Sequence, residues 1–175
     1  MKLFINLNLN SKLQFLIVIA IVLVLYSCKK KEQYPIEPHI EFLDFTQITK
    51  ANGIDSAGIF KFSFTDGDGD IGLNPEDTLA PYNAAGQYYY NFFIKYYELQ
   101  NGVLKEVPLA WPNNSRIPNI TPDGKNKSIN GEIEMAIRTF SSSSFDTIMF
   151  DAKIVDRALH ESNTIQTNYI VLKKH

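Results

Sequence analysis

Phe60-Lys61-Phe62-Ser63-Phe64-Thr65-Asp66-Gly67-Asp68-Gly69-Asp70 is an alternating stretch that runs straight into a knot of acids and glycines. Phe60, Phe62 and Phe64 fall on one face and Lys61, Ser63 and Thr65 on the other. That is the period of two expected of a half-buried β-strand. The character of the chain then changes within one residue. Carboxylates at every second position repel one another unless something positive sits between them. Gly67 and Gly69 carry no side chain and permit the backbone bends that would point those carboxylates inward.

The pattern extends outward from this strand. Upstream, Ile40, Phe42 and Asp44 share one face of an earlier strand, with Glu41, Leu43 and Phe45 opposite, and Asn52-Gly53 marks a turn. Downstream, Asn74-Pro75-Glu76-Asp77 and Ala80-Pro81-Tyr82-Asn83 belong to a long irregular connection. Residues 88–99 (YYYNFFIKYYEL) read as a long aromatic strand, and Asn101-Gly102 folds it back into residues 103–107 as a hairpin. Residues 108–123 carry four prolines and read as a loop, with a short strand at Arg116-Ile117. Residues 129–137, 147–155 and 164–172 complete the set, and no helical period appears in residues 39–175. About seven strands without helices predict an all-β, two-sheet sandwich, a closed barrel being the alternative.

The amino terminus has a different composition. A basic start at Met1-Lys2, an apolar run over residues 13–25 and a small residue, Ser27, before Cys28 form a secretory pattern. The run is shorter than the roughly 20 residues of a membrane-spanning helix, so residues 1–27 read as a helical signal peptide, an uncleaved anchor being the alternative. Leu25-Tyr26-Ser27-Cys28 resembles the bacterial lipobox. The resemblance implies cleavage before Cys28, a diacylglyceryl thioether on its sulfur and acylation of its amine. More than one acyl chain is what stable anchoring requires. Cys28 is the only cysteine, so no internal disulfide can form. Residues 28–38 form a polar tether with Lys29, Lys30, Lys31, Pro35 and Pro38, leaving residues 39–175 as one domain. The net charge of −2 carries no nucleic-acid footprint.

A second resemblance lies near the end. Asp156-Arg157-Ala158-Leu159-His160-Glu161-Ser162 is similar to the penultimate-strand corner of bacterial immunoglobulin-like surface domains, which read Asp-x-Ala-Gly-Asn-x-Ser. Asp156, Ala158 and Ser162 match, while Leu159 and His160 stand where those domains carry Gly and Asn. Together with the lipobox, tether and Asp/Gly loop, the chain resembles small immunoglobulin-like lipoproteins of Gram-negative surfaces. That resemblance implies an immunoglobulin-like sandwich, a lipid anchor in the outer membrane, and a non-catalytic binding or assembly role in the envelope.

Two groups of residues are candidates for chemistry. Asp66, Asp68 and Asp70 occupy positions one, three and five of a calcium-loop pattern, and Asp77 falls where a closing acid is expected. Ile71 stands where that pattern needs glycine, and no helices flank the loop, so an EF-hand is excluded. A looser calcium cage of Asp66, Asp68, Asp70 and Asp77 at a strand end is the expectation, against a solvated turn as the alternative. The aromatic strand carries Tyr89, Phe93 and Tyr97 on one face and Tyr88, Tyr90, Phe92 and Tyr96 on the other. Two apolar faces mean either a doubly covered strand or an exposed strip. Tyr89, Phe93, Tyr97 and Trp111 are therefore candidates for contact with a glycan or an envelope protein, as in an accessory of a nutrient-uptake system. His39, His160 and His175 are scattered and no G-x-S-x-G nucleophile motif occurs, so no enzyme is predicted, a hydrolase being the remaining alternative.

Overall fold

The computed structural model describes residues 33–122, 127–140 and 142–174, together with Leu16, which is helical. The chain divides into two units, Met1–Glu32 and Gln33–His175. Apart from Leu16, the expected signal peptide of residues 1–27 lies outside the described residues, as does Cys28.

The second unit is built from β-strands: β1 (His39–Thr49), β2 (Asp55–Asp66), β3 (Phe92–Gln100), β4 (Val103–Glu106), β5 (Ile129–Arg138), β6 (Thr147–Ile154), β7 (Ile165–Gln166) and β8 (Ile170–Val171). Among its described residues there is no helix. One sheet has the order β1-β2-β5; the other runs β4-β3-β6, with β7 and β8 both paired to β6. Every pairing between these strands is antiparallel.

The stretch that opened the reading is the central strand of the first sheet. Phe60, Phe62 and Phe64 are buried, and the alternating residues point away. Phe62 stacks on Phe92 of β3 at 5.7 Å and Phe45 of β1 on Phe150 of β6 at 5.5 Å, so aromatic pairs join the two sheets. Ile40, Ile137, Ile148, Ile154 and Ile170 fill the same core. Each fully buried large apolar side chain contributes about 1.5–3 kcal/mol, and each aromatic pair about 0.5–1.5 kcal/mol more. On the outside of the first sheet, Lys61 reaches Glu132 at 2.7 Å and Glu134 at 3.7 Å on β5, its outer strand.

The hairpin between β3 and β4 follows the Asn-Gly expectation. Asn101 (φ 53°) and Gly102 (φ 81°) are both left-handed, the backbone that matches the twist of two antiparallel strands. Four other stretches depart from the simple pattern. In β1 the register slips between Phe42 and Asp44, leaving Leu43 as an extra, exposed residue. After that bulge the faces exchange, so Phe45 turns inward and Asp44 outward, the reverse of strict alternation. The aromatic strand begins at Phe92, not Tyr88, because the buried Asn91 amide takes Ile117 N–H at 2.6 Å and donates to Ile117 O at 3.2 Å. Finally, residues 164–172 break into two short strands. The Thr167 hydroxyl accepts Phe150 N–H at 3.0 Å, a place that a ladder carbonyl would otherwise take. Arg116-Ile117 is no strand; its neighbours Ser115 and Pro118 form isolated bridges to Phe92 and Leu73.

Candidate metal centre

β2 ends at Asp66, whose side chain is fully buried. The chain then coils tightly enough for Asp70 N–H to donate back to Asp66 Oδ2 at 3.0 Å. Both glycines are needed for that coil. A Cβ on Gly67 would lie 2.4 Å from the Tyr34 carbonyl oxygen, and one on Gly69 would lie 1.9 Å from that of Lys127. Gly69 is also left-handed, at φ 64°. The end of the predicted tether is thus packed on this loop, and Tyr34 N–H donates to Ser128 Oγ at 3.2 Å.

The coil brings Asp66, Asp68 and Asp70 together, and Asp156 from the residues after β6 completes the group. One carboxylate oxygen of each lies within 4.8 Å of the others. Asp66 Oδ1, Asp68 Oδ1 and Asp70 Oδ1 are buried with no hydrogen-bond partner. Buried carboxylate oxygens left bare in this way are costly, and native structures rarely tolerate one, let alone three from a single loop. Asp66 Oδ2, Asp70 Oδ2 and both Asp156 oxygens are occupied. Ala158 N–H donates to Asp70 Oδ2 at 2.9 Å and His160 N–H to Asp156 Oδ1 at 2.8 Å, while His160 Nδ1 lies 2.8 Å from Asp156 Oδ2.

The electrostatics point the same way. Burial, reinforced by Asp68, pushes Asp66 up to about 7, and burial with Asp156 pushes Asp70 up to about 6. Burial also raises Asp156, outweighing its hydrogen bonds from His160. Arg157 pulls Asp70 down but is outweighed by burial, Asp156 and Asp68, and its Nη2 is turned to Asn119 Oδ1 at 2.9 Å and Thr121 Oγ1 at 2.8 Å. Without a cation the cluster can relieve its repulsion only by holding protons. An all-oxygen, carboxylate-rich donor set suits a hard divalent ion, and calcium accepts it in flexible geometry with water and carbonyl oxygens completing the shell.

The cluster differs in one member from the expected set. Asp77 is not part of the group; its Oδ2 accepts Asn74 N–H at 2.7 Å and closes a turn within the β2–β3 connection. Asp156 takes the fourth position, and in the sequence it signalled only a corner. Within that corner Leu159 is left-handed, at φ 73°.

The aromatic candidates separate. Phe93 and Tyr97 are half-buried on the outer face of β3, and Phe93 lines a shallow hollow of about 230 Å³ with Lys95, Asp151 and Lys153. Tyr89 is not on that strand. It lies in the preceding turn, with Arg116 over its ring at 5.3 Å, and lines a different hollow of about 370 Å³. Trp111 is 74% exposed on the proline-rich loop, held by Arg138 Nη2 donating to its carbonyl at 3.1 Å. Of the histidines, His39 sits 3.7 Å from Glu41 and His160 is engaged with Asp156, while His175 lies outside the described residues.

Comparison with known protein families, with curated proteins and with solved structures finds no match to this chain.

Proposed function

We propose that the chain is an exported, lipid-anchored envelope protein whose immunoglobulin-like sandwich is a non-catalytic binding or assembly module braced by calcium. The lipobox and its Cys28 support the anchor and the outer-membrane location; the two antiparallel sheets and the left-handed Leu159 corner support the immunoglobulin-like topology. The observation that carries the calcium reading is the set of three buried, unpartnered carboxylate oxygens beside Asp156. Asp66 closes a strand of one sheet and Asp156 follows a strand of the other. An ion held by both would clip the sheets together at one end, in a chain whose single cysteine cannot form an internal bridge.

Calorimetric titration of the full chain in detergent with calcium tests this. The expected result is one site with a Kd of about 10⁻⁴–10⁻³ M or tighter, as in extracellular modules, and a melting temperature that rises with calcium. In Asp68→Ala both responses should vanish. An unchanged melting temperature in saturating calcium overturns the calcium reading. The competing reading, a glycan- or protein-binding accessory of an uptake system, draws on the exposed Trp111 ring.

A further inference from the structure

The hollow beside Tyr89 belongs neither to the acidic cluster nor to the outer face of β3. It is formed by the long β2–β3 connection and by Arg116 from the proline-rich loop, and its volume is about 370 Å³. Its walls are set by the arginine. Nη1 donates to the Tyr82 and Tyr89 carbonyls at 3.2 and 2.9 Å, and Nη2 to those of Asn74 and Asp77 at 3.2 and 3.3 Å. One guanidinium thus fixes four points of an otherwise irregular segment, and all of its Nη hydrogens are spent on carbonyls. The hollow it leaves is lined by Tyr82 and Tyr89 with Asp77, Thr78 and Asn83.

We infer that this hollow is a binding site for a sugar ring. Its size falls within the range of small-molecule pockets. With Arg116 over one face of Tyr89, the rest of that ring and the Tyr82 ring offer apolar area for the C–H face of a sugar. A carboxylate, an amide and a hydroxyl supply the mixed acceptors and donors that ring hydroxyls need. An anionic ligand is disfavoured, because Asp77 faces the hollow and the arginine's Nη donors are already engaged.

The site is wired to the acidic cluster. The Tyr82 hydroxyl donates to the Arg157 carbonyl, Arg157 N–H donates to the Asp70 carbonyl at 3.2 Å, and Ala158 N–H to Asp70 Oδ2. A cation that fixes Asp70 and Asp156 also fixes the residue that carries one wall of the hollow. Sugar and cation should therefore strengthen each other's binding, by the same factor in both directions. This coupling rests on the calcium reading; the site itself does not.

The test is saturation-transfer NMR on the full chain in a sugar-free detergent. The probes are glucose, galactose, mannose and N-acetylglucosamine at tens of millimolar, with calcium and with chelator. The expected result is transfer to at least one sugar, lost in Tyr89→Leu and in Asn83→Ala while both variants keep their calcium-dependent melting, and several-fold stronger with calcium. No transfer to any of the four from calcium-loaded wild type overturns the site, as does transfer that survives both substitutions. Transfer that is indifferent to calcium, in a protein whose melting does respond to it, supports the site and overturns the coupling. Transfer without any calcium response in melting supports the site and overturns the calcium reading alone.

Discussion

Replacing Asp66 by asparagine should make the calcium-free protein more stable at pH 8, an unusual direction for a change at a fully buried position. Asn keeps an oxygen to accept Asp70 N–H and places an NH₂ group where Asp66 Oδ1 now has no partner. The wild-type carboxyl titrates near 7 in the fold against 3.8 in the unfolded chain. Its folded pKa is raised, so its contribution is fully present below about pH 4 and is lost as pH rises through 7. Three pK units correspond to about 4 kcal/mol at 1.36 kcal/mol per unit, or about 2–4 kcal/mol once the loop relaxes. For a domain of this size that is a rise of about 6–16 °C in melting temperature. The measurement is a pair of thermal melts, wild type and Asp66→Asn, at pH 4 and pH 8 in chelator. The curves should nearly coincide at pH 4 and separate at pH 8. Millimolar calcium at pH 8 should raise the wild type and leave the variant unmoved. An Asp66→Asn protein that melts at or below the wild type at pH 8 in chelator refutes the electrostatic account of the loop.

Three further outcomes are expected. Leu159→Gly should stabilise the protein by about 0.5–1 kcal/mol in denaturant titration, because a left-handed non-glycine residue costs about 1–2 kcal/mol and glycine's extra freedom when unfolded returns only part of that. Gly69→Ala should abolish the calcium-dependent rise in melting temperature, since its Cβ would lie 1.9 Å from the Lys127 carbonyl oxygen and must open the coil that gathers the carboxylates. Labelled palmitate should be incorporated into the wild-type chain in cells and not into Cys28→Ser; labelling that survives the substitution removes the lipid anchor at that residue.

What could be read from the residues and what could not divide along physical lines. Local periodicity and turn chemistry are contained in adjacent residues, so the Phe60–Phe62–Phe64 face and the Asn101-Gly102 hairpin were both legible. The bulge at Leu43 was not, because strict alternation is the only pattern a short window offers and the bulge answers to core packing by Phe45. Likewise the aromatic run 88–99 has strand composition throughout, yet Asn91 spends its amide on Ile117 and delays the strand to Phe92. At the acidic site, three of the four clustered carboxylates come from one loop, and their spacing was visible in the sequence. Asp156 sits 86 positions beyond Asp70 in the chain (156 − 70) and is brought in only by the packing of the two sheets. The closing acid was therefore sought within the loop, at Asp77, where the structure has a turn instead.

Glu132 and Glu134 on the outer strand of the three-stranded sheet have a consequence for crowding. Both alternate along the outward face of β5, and Lys61 answers them only from within the same molecule. A second copy offering its own β5 to extend the sheet would bring glutamates up against glutamates, with both lysines already engaged. The β5 edge thereby resists continuation into a ribbon shared between copies.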